Sequence, residues 1–182
     1  MGPSRWQQSG LQFHQILVVA ANRATSVKLG EMMRGFGTHG FIAWTASASD
    51  ALEMTARLKP QLVFVEERKG FDGLSFVRQL RRSTASSRKA PVILLAQEST
   101  VGALRAAQNA GVHEFLVTPA TAEHLLKRLD AVCGPPRTWF QTATYVGPDR
   151  RRFNSAVPEN ENRRQADPDQ ARSINSANRS NR

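Results

Sequence analysis

Short apolar runs and helical patterns alternate five times along the first two-thirds of the chain. Ile16-Leu17-Val18-Val19 is apolar at consecutive positions, the pattern of a strand buried on both faces. Asn22 follows as a candidate N-cap, and Leu29, Met32, Met33 and Phe36 then recur at the spacing i, i+3, i+4, i+7 of one helix face. Gly37 suits the end of that helix. Phe41 to Trp44 predicts a second strand, and Asp50 to Leu58 a second helix that Pro60 ends. Leu62 to Val65 is the third strand, and Leu74 to Arg82 the third helix. Pro91 opens the strand Val92 to Leu95, and a helix runs from about Thr100 to Ala110, where Gly111 terminates it. Phe115 to Val117 is the fifth strand, and Thr121 caps a last helix with Leu125, Leu129 and Val132 on one face.

Five strand-plus-helix units with short links predict a doubly wound α/β fold, a parallel sheet covered on both faces. In such folds chemistry sits at the carboxyl ends of the strands. That rule selects Ala20, Ala21, Glu66, Ala96, Gln97 and Thr118. The pattern stops at Gly134-Pro135-Pro136, and after Val157 the chain has almost nothing to bury. The expected organisation is a flexible arm over residues 1–12, a domain over 13–133, an aromatic and basic extension over 134–153, and a disordered polar tail over 154–182.

Composition narrows the classes. The single cysteine, Cys133, excludes an internal disulfide and a Cys-rich zinc site. No stretch approaches the ~20 apolar residues of a membrane span, and no apolar core follows Met1-Gly2-Pro3, so a cytoplasmic location without a leader or membrane partner is expected. None of the four histidines is spaced from another as metal ligands are, so no metal is expected. The net charge is +10, and residues 134–182 carry nine arginines against five acids. Such a balance favours acidic partners such as nucleotides or acidic protein faces. No aromatic residues interleave with the later arginines, which disfavours nucleic acid.

The segments ILVVAAN at 16–22, KPQLVFVEE at 59–67, FDGLSFVRQLR at 71–81, APVILLAQ at 90–97 and AGVHEFLVTP at 110–119 stand in the order and at the spacing of a known family. Over about residues 13–133 the chain resembles the receiver domain of two-component response regulators, to which the chemotaxis protein CheY belongs. The resemblance implies a flavodoxin-like (βα)5 fold with strand order 2-1-3-4-5 and a bacterial signalling role. It also implies the site. A working receiver would have two magnesium-holding acids where Ala20 and Ala21 stand, and a phosphoacceptor Asp at Glu66. It would have a Ser or Thr at Ala96 and a Lys at Thr118, both contacting the phosphoryl group. All five positions differ here, and the loop after Glu66 is one residue shorter than the family's.

Phosphoryl transfer relies on positioning and on cations that neutralise the phosphoryl oxygens. Magnesium is normally held by one or two carboxylates, which Ala20 and Ala21 do not provide. The expectation is therefore a pseudo-receiver without enzymatic activity, without bound Mg²⁺ and independent of phosphorylation. Glu66 is either a fixed-charge mimic of the phosphorylated state or a solvated remnant. Ala96 and Thr118 cannot read its charge, which favours the remnant.

The resemblance also implies an output face on the fourth helix, fifth strand and fifth helix, here carrying Arg105, His113, His124, Lys127 and Arg128. Phe115 matches the family aromatic whose rotation reports state, and is equally readable as core. Docking to a kinase, motor or regulator component is the first expectation. Trp139, Phe140 and Tyr145 are expected to fold back onto the domain, because exposing them together is costly. This segment, ending Gly-Pro-Asp-Arg-Arg-Arg, resembles an extension of stand-alone CheY-like proteins. Arg150, Arg151 and Arg152 make a candidate anion site. Arginine-rich tails of CheY-like proteins that bind cyclic di-GMP make that dinucleotide the alternative ligand.

Overall fold

A computed structural model describes residues 13–151, and the calls on the N-terminal arm, on Arg152 and on the polar tail fall outside these residues. Strands β1 (Gln15–Val19), β2 (Phe41–Thr45), β3 (Leu62–Glu67), β4 (Val92–Ala96) and β5 (Glu114–Val117) alternate with helices α1 (Arg23–Gly35), α2 (Ala48–Leu58), α3 (Gly73–Arg82), α4 (Val101–Ala110) and α5 (Ala122–Val132). The sheet is parallel in the order β2-β1-β3-β4-β5, as the resemblance implied.

Each helix begins at a side chain that accepts an orphan amide of its first turn: Asn22, Ser47, Asp72, Thr100 and Thr121. Ser47 starts α2 two residues before the position expected from the apolar pattern, because the cap outweighs the weak hydrophobicity of Ala48 and Ser49. Strand alternation then sorts the core into two layers. Leu17, Val19, Val63, Val65, Val92, Leu94 and Phe115 pack with residues of α2, α3 and α4. Ile16, Val18, Leu62, Phe64, Ile93, Leu95 and Leu116 pack with Leu29 and Met33 of α1 and Leu125 and Leu129 of α5.

Beyond α5 the chain returns as a hairpin of β6 (Trp139–Gln141) and β7 (Val146–Pro148), antiparallel to each other. It lies where the strands begin. Arg137 donates to the His113 carbonyl at 2.7 Å and pairs with buried Glu114, which Arg128 approaches at 3.6 Å. Tyr145 is buried and donates to the Pro148 carbonyl at 2.6 Å. The Arg150 guanidinium stacks 3.7 Å from the Tyr145 ring centroid and donates to Asn109 Oδ1 at 2.7 Å. Gly111, with φ of +87°, is where this hairpin meets the domain: a Cβ there would stand 3.0 Å from both Arg81 Cγ and the Val146 carbonyl oxygen.

Candidate functional site

The register that pairs Val19 with Val65 brings Ala20 alongside Glu66 at the carboxyl edge of the sheet. Glu66 has the parity of Leu62 and Phe64, so it belongs to the α1–α5 layer, and the backbone N–H of Ala21 donates to its Oε2 at 2.8 Å. Glu67 turns to the opposite layer. Its Oε2 accepts the Leu74 N–H at the start of α3 at 2.9 Å. Partial burial raises the Glu67 carboxyl above its usual range, against the Leu74 bond that favours its charge. The two adjacent glutamates thus serve different faces. The side chains at the end of β1 add no carboxylate to the one from Glu66, a poor match to the acid pair of a receiver-type magnesium site. Among the described residues, no group of three or more His, Cys, Asp or Glu side chains gathers elsewhere to hold a metal.

Gly73 lets α3 start directly against this edge, because a Cβ there would overlap the Glu66 carbonyl oxygen and press on Val65. Gly73→Ala is therefore expected to destabilise the fold by roughly 2 kcal/mol, read from its denaturant midpoint; the overlapped atom is backbone and cannot swing aside.

Ala96 closes the neighbouring strand as a buried methyl with no hydroxyl to offer. The Thr118 hydroxyl donates to the Ala96 carbonyl at 3.3 Å and its N–H to the same oxygen at 2.8 Å, beside a cis Thr118–Pro119 bond. The Trp44 indole N–H donates to the Ala20 carbonyl at 3.0 Å, tying the end of β2 over β1. Glu66 and Thr118 both line a cavity of about 120 Å³ between α1 and the loop that follows β5.

On the output face that the resemblance implied, Arg105 is exposed, as are Val101 of α4 (41%) and Val117 of β5 (40%). Phe115 is 4% exposed and packed in the core layer of α2, α3 and α4. His113 does not belong to that face, contrary to its assignment from sequence. It is buried, and its Nδ1 accepts from the Val92 N–H at 3.2 Å and from an Arg81 Nη2 at 3.0 Å. Two donors at one nitrogen require it to be unprotonated. Burial, with Arg81 and Arg137 nearby, holds His113 well below its ordinary pKa.

Arg81 is a residue that sequence reasoning did not single out. It is 1% exposed and donates to the carbonyls of Gly111 (2.9 Å), Arg88 (2.6 Å) and Ala90 (2.9 Å), with its guanidinium carbon 5.5 Å from the Trp139 centroid. Burial pushes its pKa down to about 9, still charged at neutral pH. Of the arginines considered for anion binding, Arg150 is engaged by Tyr145 and Asn109, and Arg151 is exposed with its N–H on Asp149 Oδ1.

The sheet order, the strand-end site and the sequence converge on one class. The response regulator receiver domain matches residues 16–130, and the chain belongs to that family. A stretch of 78 residues is 37% identical to the sensory/regulatory protein RpfC of Xanthomonas campestris pv. campestris, covering 42% of this chain and 11% of that protein's length. A response regulator from Thermotoga maritima superposes with a TM-score of 0.59 at 21% identity, covering 69% of this chain and all (100%) of that one. Chemotaxis protein CheY4 of Vibrio cholerae gives 0.58 at 19%, covering 66% and 98%. The receiver domain of the sensor histidine kinase PA1611 of Pseudomonas aeruginosa, solved with magnesium in its active-site cleft, gives 0.58 at 22%, covering 68% and 99%. Among the described residues no helix is long and apolar enough to cross a membrane.

Proposed function

We propose that this chain is a receiver-type signalling module that holds no magnesium, is not phosphorylated at Glu66, and acts by docking a protein partner. The observation that carries the reading is the Glu66 carboxylate bonded to the Ala21 amide, with methyl groups at Ala20, Ala21 and Ala96 around the strand ends. A phosphoryl group at Glu66 would meet neither a carboxylate pair to seat a divalent ion nor the family amine at Thr118. Its charge would go unanswered where receivers neutralise it. Glutamate also carries its carboxylate one carbon further than aspartate, and a displacement near 1 Å alone can cost about a hundredfold in rate.

Docking has a surface to work with in Val101, Arg105 and Val117, and relatives named as a sensory/regulatory protein and a sensor histidine kinase make a kinase or regulator component the natural class of partner. The cyclic di-GMP alternative is weakened at Arg150, whose guanidinium is already stacked and hydrogen-bonded.

Incubation with acetyl phosphate and Mg²⁺, followed by intact mass, is expected to leave the protein unmodified. A stable adduct of about 80 Da, lost in Glu66→Gln, overturns the reading. Calorimetry with cyclic di-GMP is expected to be silent for the full chain, and tail-dependent micromolar binding would replace docking by the dinucleotide function.

A further inference from the structure

The pocket beside Glu66 opens to solvent at exposed Lys28 and Pro119 and reaches inward to buried Leu29, Leu95 and Leu116. Ala120 lines it with a methyl group, between the post-β5 loop and α1. Its volume of about 120 Å³ corresponds to roughly four waters, room for a short branched alkyl group.

The walls divide by chemistry. Leu29 and Met32 of α1, with Leu95 and Leu116 of the sheet, make the apolar part. Two opposite charges line the same space, Glu66 and Lys28. The Ala21 amide engages only Oε2 of Glu66, and an ionised carboxylate accepts up to about four hydrogen bonds, so it retains capacity for an ammonium group. Lys28 is exposed and takes part in none of the ion pairs among the described residues. An apolar slot with one anchor of each sign is what a small zwitterion requires. A plain amine would leave Lys28 unanswered, and a plain carboxylate would face Glu66.

We propose that this cavity binds a small aliphatic α-amino acid or close analogue, its ammonium on Glu66, its carboxylate on Lys28 and its alkyl group against Leu29, Met32, Leu95 and Leu116. This deepens the reading of Glu66 as an unphosphorylated residue and rests on it.

The test uses the full-length protein and amide chemical shifts, titrated separately with L-valine, isobutylamine and isovalerate. Valine is expected to give saturable shifts at Ala21 and Thr118. The two single-charge probes, and valine on Glu66→Gln or Lys28→Met, should bind at least about tenfold more weakly, as loss of one charged anchor implies. Ala120→Leu should abolish binding while keeping the thermal midpoint at or above that of the parent, which separates filling the cavity from unfolding. Absence of saturable shifts from valine at tens of millimolar overturns the proposal, as does binding that Glu66→Gln leaves unchanged. Acetyl phosphate labelling of Glu66 would sink the phosphorylation-independent reading itself, whereas an unlabelled protein that ignores valine removes only the ligand.

Discussion

Replacing Arg81 by methionine is expected to remove on the order of 4 kcal/mol of folding stability, measured as a fall in the urea midpoint at neutral pH. Methionine keeps the stem and much of the volume, so the loss reports the guanidinium and not a cavity. That group has no carboxylate partner among the interactions described. It is satisfied by the carbonyls of Gly111, Arg88 and Ala90 and by His113 Nδ1, with Trp139 above it. Hydrogen bonds to a charged group contribute roughly 1.5–3 kcal/mol each, and the substitution strips a donor from four buried or partly buried acceptors at once. Relief of the desolvation cost of a buried cation offsets part of this, which is why the sum of four such bonds is not the expected figure. Arg81→Lys should recover less than half of the loss, because a single ammonium cannot span acceptors spread around a planar fork. A loss under about 1 kcal/mol for the methionine variant would show that the cluster is not a keystone of the fold.

The second expected effect is a loss of stability in mild acid that depends on His113. Its folded pKa is depressed well below the ordinary 6.5, so between that lower value and 6.5 the unfolded chain binds a proton that the folded chain does not. Stability then falls as pH drops below 6.5, by about 1.4 kcal/mol per pH unit, until the folded pKa is reached. Physically, a second proton on the imidazole would turn an acceptor into a donor facing the Val92 N–H and Arg81, and would set a cation beside Arg81 and Arg137. Glu114 works in the opposite sense, since burial, against the pull of Arg137 and Arg128, holds its carboxyl above the usual range. His113→Asn isolates the histidine, because Asn retains an acceptor and leaves Glu114 in place. Urea midpoints at pH 7.5 and below 6 should diverge, the parent losing stability that the variant keeps. Parallel pH profiles for the two proteins would refute the assignment.

The strands were legible because a parallel sheet buried on both faces writes each strand as an unbroken apolar run, as at Ile16–Val19 and Val92–Leu95, whereas the strand order came from the resemblance to receiver domains. The helix starts were partly legible. Asn22 and Thr121 declared themselves, whereas Ser47 was hidden by a run of small residues whose hydrophobicity is nearly neutral. The strand-end rule placed Glu66, Ala20 and Ala96 in one neighbourhood, but which face each glutamate serves follows from strand parity and from the amides of Ala21 and Leu74. The Arg81–His113 cluster was not legible. Arg81 is the middle of a polar-looking run, Arg81 beside Arg82, and its burial depends on carbonyls supplied by the Ser86–Lys89 turn, by Gly111 and by Ala90. His113 went with it, taken for a surface cation when its only signal was a position just before β5. The missing clue was an aromatic cap for a buried cation, and Trp139 lies far downstream of both.

The hairpin's attachment gives the molecule two separate poles. Arg150 grips Asn109 at the tail end of α4, where the strands begin, while Glu66 sits where β3 finishes. A strand of about five residues spans roughly 16 Å, so Arg150 stands at the rim opposite the pocket. A fluorophore attached at the Arg151 side chain should leave the Glu66 end unobstructed, and a partner that bridges both ends must be at least as long as the sheet is deep.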